Sequence, residues 1–293
     1  MHKYLRAIGF SELKGRKELQ KLVSDIIVNA KERSYTSCTE DTVLAVFSKD
    51  FAENMGVAVC GEFDEEDNFS FDYYFPYLRG SGISSEEDVS IEHHISAESY
   101  AGVCDDIKIG ISLIFYLQNM IPYVKAKNSG QLPITGSTLT LSGLSVQGTI
   151  MMPINKNEKD KKTIQKASNN RNSLIEAARK GDEDAIENLT LEDMDTYTTI
   201  SKRIQKEDVF SLVDTYFMPY GVECDEYSVL GEIMEYNQEV NKMTGEELYH
   251  MRLLCNDLEF DICINKKDVY GEPEIGRRFK GVIWMQGHIN FPE

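Results

Sequence analysis

The clearest periodicity in the chain lies between residues 11 and 31, where Leu19, Leu22, Val23, Ile26, Ile27 and Ala30 recur at the spacing of a single apolar stripe. That spacing predicts an amphipathic helix, with Ile8 and Phe10 placed to fold back onto it. The pattern then changes to β-rich runs at 42–47, 56–63 and 69–77, separated by polar turns, of which 64–68 is too charged to be buried. An antiparallel meander is expected, with 88–95 adding another strand. The apolar run 109–121 reads as a buried helix, capped by Asp105 or Asp106 and ending near Pro122. Across 137–152 the apolar positions switch parity, from Leu139 and Leu141 to Leu144, Val146, Ile150 and Met152, which predicts a two-residue turn at Ser142-Gly143.

Beyond Pro153 the composition shifts. Residues 155–171 hold six basic and two acidic side chains and read as an exposed linker. Helical text follows, with a stop at Arg179-Lys180-Gly181, a start at Asp182 and a further helix from about Thr190, which has capping-box spacing to Asp193. Residues 217–221 read as a turn or loop. Strands are expected at 227–235, 247–254, 258–264 and 279–289, with a hairpin at Asn256-Asp257. Phe260, Ile262 and Ile264 alternate with Glu259, Asp261 and Cys263, so one face is apolar and the other polar. In the closing strand, Gly276, Gly281 and Gly287 predict bends, bulges or close backbone approach around a core Trp284.

Helices preceding strands in both halves argue for an α+β fold of two domains. The N-terminal domain (1–154) is expected to hold a helix and an antiparallel meander, and 155–172 the linker. The C-terminal domain (173–293) is expected to hold a helical pair and a curved antiparallel sheet or partial barrel.

An apolar content of 41% is that of a globular chain, and a net charge of -18 argues against nucleic acid as a partner. The first residues lack the apolar core of a secretory signal, and no apolar run reaches the roughly 20 residues that span a bilayer, so a cytoplasmic protein without a membrane partner is expected. The six Cys are scattered without a C-x-x-C pair and read as reduced core or surface residues.

Candidate chemistry is sparse. Gly80-Ser81-Gly82 lacks the third Gly of a dinucleotide loop, and Gly143-Leu144-Ser145-Val146-Gln147 misses the final Gly of a nucleophile elbow. His93-His94 supplies too few ligands for a stable metal site. The acidic group Glu223, Asp225, Glu226, Glu232 and Glu235 has no EF-hand spacing. Cys255, Cys263, His250 and His288 lie on neighbouring strands, but the carboxylates beside Cys263 would raise its pKa. No catalytic residue, metal ligand or cofactor is therefore assigned.

Two groups are binding candidates. The run 69–77 packs six aromatics into nine positions on both parities, which makes Tyr73, Tyr74 and Tyr77 candidate contacts for a ligand or partner. Arg277 and Arg278, with Lys280, form a basic spot on an acidic chain, and Arg suits bidentate capture of a carboxylate or phosphate.

The opening MHKYLRAIGFSELKGRKEL, the block EDMDTYTTISKRIQKEDVFSLVDTYFMPYGVECDEYSVLGEI and the ending GEPEIGRRFKGVIWMQGHINF resemble a family of clostridial proteins, domain of unknown function 3881. The resemblance runs over nearly the whole chain and implies a bacterial cytosolic protein with no assigned activity. The reading that emerges is a non-catalytic binding or regulatory module for a protein or small ligand. Two alternatives stay open: a hydrolase whose site is assembled by folding from dispersed Asp, Glu, His and Cys residues, and a structural or oligomeric protein.

Overall fold

A computed structural model describes residues 1–37, 42–93, 99–106, 111–132, 136–154, 170–171, 173–178, 180–204, 209–221 and 225–292. The fold is α+β. A 3-10 turn, Lys3–Ile8, leads into α1, Arg16–Asn29. Glu18 starts α1 by accepting the backbone N–H groups of Lys14 and Gly15. The predicted stripe faces inward: Leu22 and Ile26 are buried, and Leu19, Val23, Ile27 and Ala30 pack at the margin of the same core.

The expected meander is present as β2 (Val43–Ala52), β3 (Met55–Phe63) and β4 (Phe69–Leu78), antiparallel and in sequence order, but its fourth strand is β1 (Glu32–Ser37), paired with β2, and not the 88–95 run, which joins the second sheet. Its 64–68 turn is exposed, and Asp64 accepts the N–H groups of Glu66 and Asn68. Helix α1 packs against β2 and β3.

The second sheet begins with β5 (Val89–His93), β6 (Tyr100–Asp106) and β7 (Ile111–Leu117). The apolar run from 111 is thus a strand, not the expected helix, and Asp105 and Asp106 end β6 instead of capping. Alternate burial of Leu113, Phe115 and Leu117 suits a β-branched and aromatic segment. The helix starts later, as α2 (Met120–Asn128), with Pro122 in its first turn, where a missing N–H costs nothing.

The expected turn at Ser142-Gly143 is also absent, because β8 runs unbroken from Thr138 to Met151. Leu139 to Ser145 are covered on both faces, so parity there does not report a reversal. After residues 155–172, of which 155–169 and 172 lie outside the described set, α3 (Glu183–Ile204) starts where Asp182 accepts the N–H of Ala185 at 3.1 Å. It continues through Thr190, whose hydroxyl bonds to the Ile186 carbonyl instead of starting a helix.

The remaining elements are a short helix, Val209–Leu212, then β9 (Tyr216–Pro219), where a loop was expected, β10 (Glu226–Val240), β11 (Glu247–Cys255), β12 (Leu258–Asn265), β13 (Val269–Tyr270) and β14 (Arg278–Asn290). Asn256 and Asp257 both have positive φ, as the tight β11–β12 hairpin requires.

Five strands close on themselves in the order β8, β12, β11, β10, β14 and back to β8. The β12–β8 pairing is parallel. From β14 the sheet continues through β7, β6 and β5. Strands on either side of residues 155–172 thus share one sheet. Tyr227, Val229, Met251, Phe260, Ile262, Phe279, Ile283 and Met285 are at most 1% exposed. Burying each such side chain is worth about 1.5–3 kcal/mol.

The face of β12 expected to be polar is covered. Asp261, Cys263 and Asn265 are all buried, because the 3-10 turn and the first sheet pack on the barrel exterior there. No described helix is long and apolar enough to cross a membrane.

Candidate functional site

The basic triplet at the start of β14 divides three ways. Arg278 is buried, and its five N–H groups go to the backbone carbonyls of Met152, Phe210, Val213 and Asp214 at 2.9–3.3 Å. Its guanidinium pins the segment leading into β9. Arg277 pairs with Glu274 and donates to the Glu272 carbonyl. Lys280 points elsewhere, with its Nζ 3.9 Å from the centroid of the Phe210 ring.

The aromatic strand β4 is covered on both faces from Phe75 onward, while Phe71 stays exposed. Tyr73 Oη lies 3.3 Å from Met120 Sδ, and burial raises its pKa well above the usual value. Tyr77 donates to Asp50 at 2.6 Å beneath the Arg79 guanidinium, and burial again raises its pKa. Tyr74 accepts the backbone N–H of His2 at 2.9 Å, which ties β4 to the 3-10 turn.

Among the described residues, no group of three or more His, Cys, Asp and Glu is arranged to hold a metal ion. His94, Glu223, Cys38 and Cys224 lie outside the described residues, as does the side chain of His93. Asp225 accepts the Trp284 indole N–H at 2.5 Å, and Glu226 pairs with Lys3. Cys60, Cys104, Cys255 and Cys263 are buried free thiols. Burial pushes the Cys255 and Cys60 pKa values up to about 12 and that of Cys104 to about 11, so none is an activated thiolate near neutral pH. His250 Nε2 lies 3.2 Å from Asp261, whose other oxygen accepts both the N–H and the hydroxyl of Ser81. The carboxylate stands between Ser81 and His250. It is a clamp for the 80–82 loop and not a relay from base to nucleophile.

A cleft of about 420 Å³ lies on the outer face of the barrel, lined by residues of the 3-10 turn, β8, β10 and β14 and by Tyr220, just after β9. A β-bulge opens it. Gly281 pairs with Gly148 but Ile283 pairs with Ser145, so Val146 and Gln147 together oppose Val282. Ser145 Oγ lies 2.9 Å from the Val282 carbonyl and 3.0 Å from that of Gln147, and so serves the polar groups freed by the bulge. The floor is glycine of necessity: a Cβ on Gly148 would meet the Phe279 ring at 2.4 Å, and one on Gly281 would meet the Gln147 carbonyl at 2.7 Å.

Tyr4 and Tyr220 form walls, and Lys3 and Lys280 add positive charge. Gln147, Thr149, Ser228 and Glu226 supply the remaining polar groups. Tyr4 is held in place by stacking on Trp284, 5.4 Å between ring centroids, and Lys3 is paired with Glu226 at 2.5 Å. Of the residues singled out in the sequence, Lys280 and Glu226 line the cleft, and Tyr74 and Trp284 support the turn that walls it. Arg277, Arg278, Tyr73 and Tyr77 are not among its lining.

Residues 5–287 match the family described as "Domain of unknown function, E. rectale Gene description (DUF3881)". The chain belongs to this family. No curated protein and no solved structure matches it. The cleft residues come from five separate stretches of chain, which is why no local motif announced them. One trace was present in the parity switch along β8. It has two causes: Leu144 is buried beside Trp284 on the outer face, and the bulge returns Ile150 to the inner one.

Proposed function

We propose that this protein is a non-catalytic binding module whose cleft takes a small anionic ligand with a flat apolar portion. The supporting observation is Lys280, a cation lining the cleft with its ammonium over the neighbouring Phe210 ring, on a chain of net charge -18. Tyr220, 54% exposed, offers aromatic surface, while Gln147, Thr149 and Ser228 offer hydrogen bonds that fix orientation. The lining carboxylate, Glu226, is already committed to Lys3. The volume lies in the range of ordinary small-molecule sites.

The test uses 8-anilinonaphthalene-1-sulfonate, a fused-ring probe with one negative charge, titrated by fluorescence. Lys280→Glu should weaken binding by about tenfold or more, and Tyr220→Ala by several-fold. Lys125→Glu, on the distant α2, should change nothing. Equal binding by the parent protein and Lys280→Glu would remove the cleft from consideration.

A further inference from the structure

Strand β10 outruns its neighbour on one side. Its residues 226–232 pair with β14, and Ile233 makes the last contacts there, donating its N–H to the Arg277 carbonyl and accepting the N–H of Gly276. On the opposite side β11 accompanies β10 from Glu232 to Val240. Among the described residues, no strand pairs with the β14 side of Met234–Val240. That leaves an open edge.

The side chains along this edge have a definite code. Met234 sits at a bulge against β11. Past it, Tyr236, Gln238 and Val240 share one face, and Glu235, Asn237 and Glu239 share the other. Met234, Tyr236 and Val240 are exposed, at 38%, 40% and 49%. Neither Glu235 nor Glu239 has an ion pair among the described residues. Arg252, opposite Glu235 on β11, gives its Nε and Nη2 to Glu259 instead.

Charged side chains on an open edge ordinarily prevent strands from pairing indiscriminately. Here they also select. A second copy of this chain, paired antiparallel about Asn237, would set Glu235 against Glu239 of its mate, and directly opposed like charges destabilise a sheet. A strand with basic residues at alternate positions meets the opposite situation: its cations face the two glutamates and its intervening apolar side chains lie beside Tyr236 and Val240.

We propose that the open edge Met234–Val240 binds a basic extended segment of a partner protein by strand addition. Backbone hydrogen bonds to β10 hold the segment, and the glutamates set its charge pattern. The site is separate from the cleft.

Fluorescein-labelled Ac-VKVKVKV-NH2 and Ac-VEVEVEV-NH2, followed by fluorescence anisotropy, test this. The basic peptide should bind the parent protein, weaken with added salt, and exceed the acidic peptide by about tenfold or more. The double variant Glu235→Lys/Glu239→Lys should reverse that preference. A basic peptide N-methylated at alternate residues keeps its charge but loses backbone donors, and should fail to bind the parent protein. Equal binding of the two charge patterns, or undiminished binding of the N-methylated peptide, would overturn the proposal. So would a concentration-dependent dimer, by light scattering, that the double variant abolishes.

Discussion

On the outer face of β12, Asp261, Cys263 and Asn265 are buried and bonded to groups of the first sheet, the 80–82 loop and the N-terminal residues. On the outer face of β8 and β14, Gln147 and Thr149 stay exposed and Lys280 half-exposed. The two faces belong to one closed barrel, both have alternating text, and the same 3-10 turn borders both. Its inner residues seal the first face, with Ala7 over Cys263 and Asn241 donating to the Ile8 carbonyl. Its outer residues, Lys3 and Tyr4, stop at the bulge and leave the second face as a cleft. The difference teaches that polarity within a strand does not say whether a face is wet. The covering element decides, and a buried polar group is tolerated where every hydrogen bond is supplied.

The contrast is broken most severely at Arg278. Arg278→Ala removes a buried guanidinium that holds the carbonyls of four residues and should cost about 3–5 kcal/mol in urea denaturation. The adjacent Arg277→Ala should fall within about 0.5 kcal/mol of the parent. Asp261→Ala, on the sealed face, strips partners from Ser81 and His250 and should cost about 2–3 kcal/mol. Gly148→Ala, beneath the cleft, drives a methyl into the Phe279 ring and should cost about 1–3 kcal/mol by the same measurement.

Acid titration sharpens the comparison without mutation. Burial opposes ionisation of Asp261 and Glu246, but the hydrogen bonds from His250 and Ser81 to the former, and from Ser11 and Asn265 to the latter, hold both carboxyls below their usual range. Their stabilisation is complete above the unfolded-state pKa and is lost as pH falls through the folded one. Burial, aided by Lys3, pushes His2 from 6.5 to about 4, so the unfolded chain protonates it first and stability declines as pH falls across that window. Denaturation at a series of pH values should show a decline beginning near 6.5 and steepening in the carboxylate range. His2→Phe should reduce the upper part and leave the share of His288, whose pKa burial also lowers. The smallest effect is expected at the cleft, where Lys280→Glu should alter stability by no more than about 0.5 kcal/mol while weakening probe binding.

Much of the fold was legible wherever one face of an element is covered and the other wet. Helix α1, the meander and the strands β10, β11, β12 and β14 follow from period and turn chemistry, as does the Asn256-Asp257 hairpin. Legibility failed where apolar residues occupy both parities. Ile111 to Leu117 read as a buried helix because Ile114 and Tyr116 are apolar although only half-buried, and Leu139 to Ser145 read as containing a turn because that stretch is buried on both faces. The basic triplet was conspicuous in the sequence, but its three side chains could be told apart only once Arg278 was seen among carbonyls and Lys280 beside Phe210.

The sequence by itself determined the local vocabulary: which stretches favour helix or strand, where reversals occur, an acidic balance, and membership of a family whose motifs span nearly the whole chain. The tertiary structure decided closure of the barrel through β8, the bulge that opens the cleft, the sealing of one outer face and the unpaired edge of β10. Local text reports the preferences of neighbours in sequence. These four features are set by registers between strands tens to more than a hundred residues apart, where pairing and coverage, not propensity, carry the free energy.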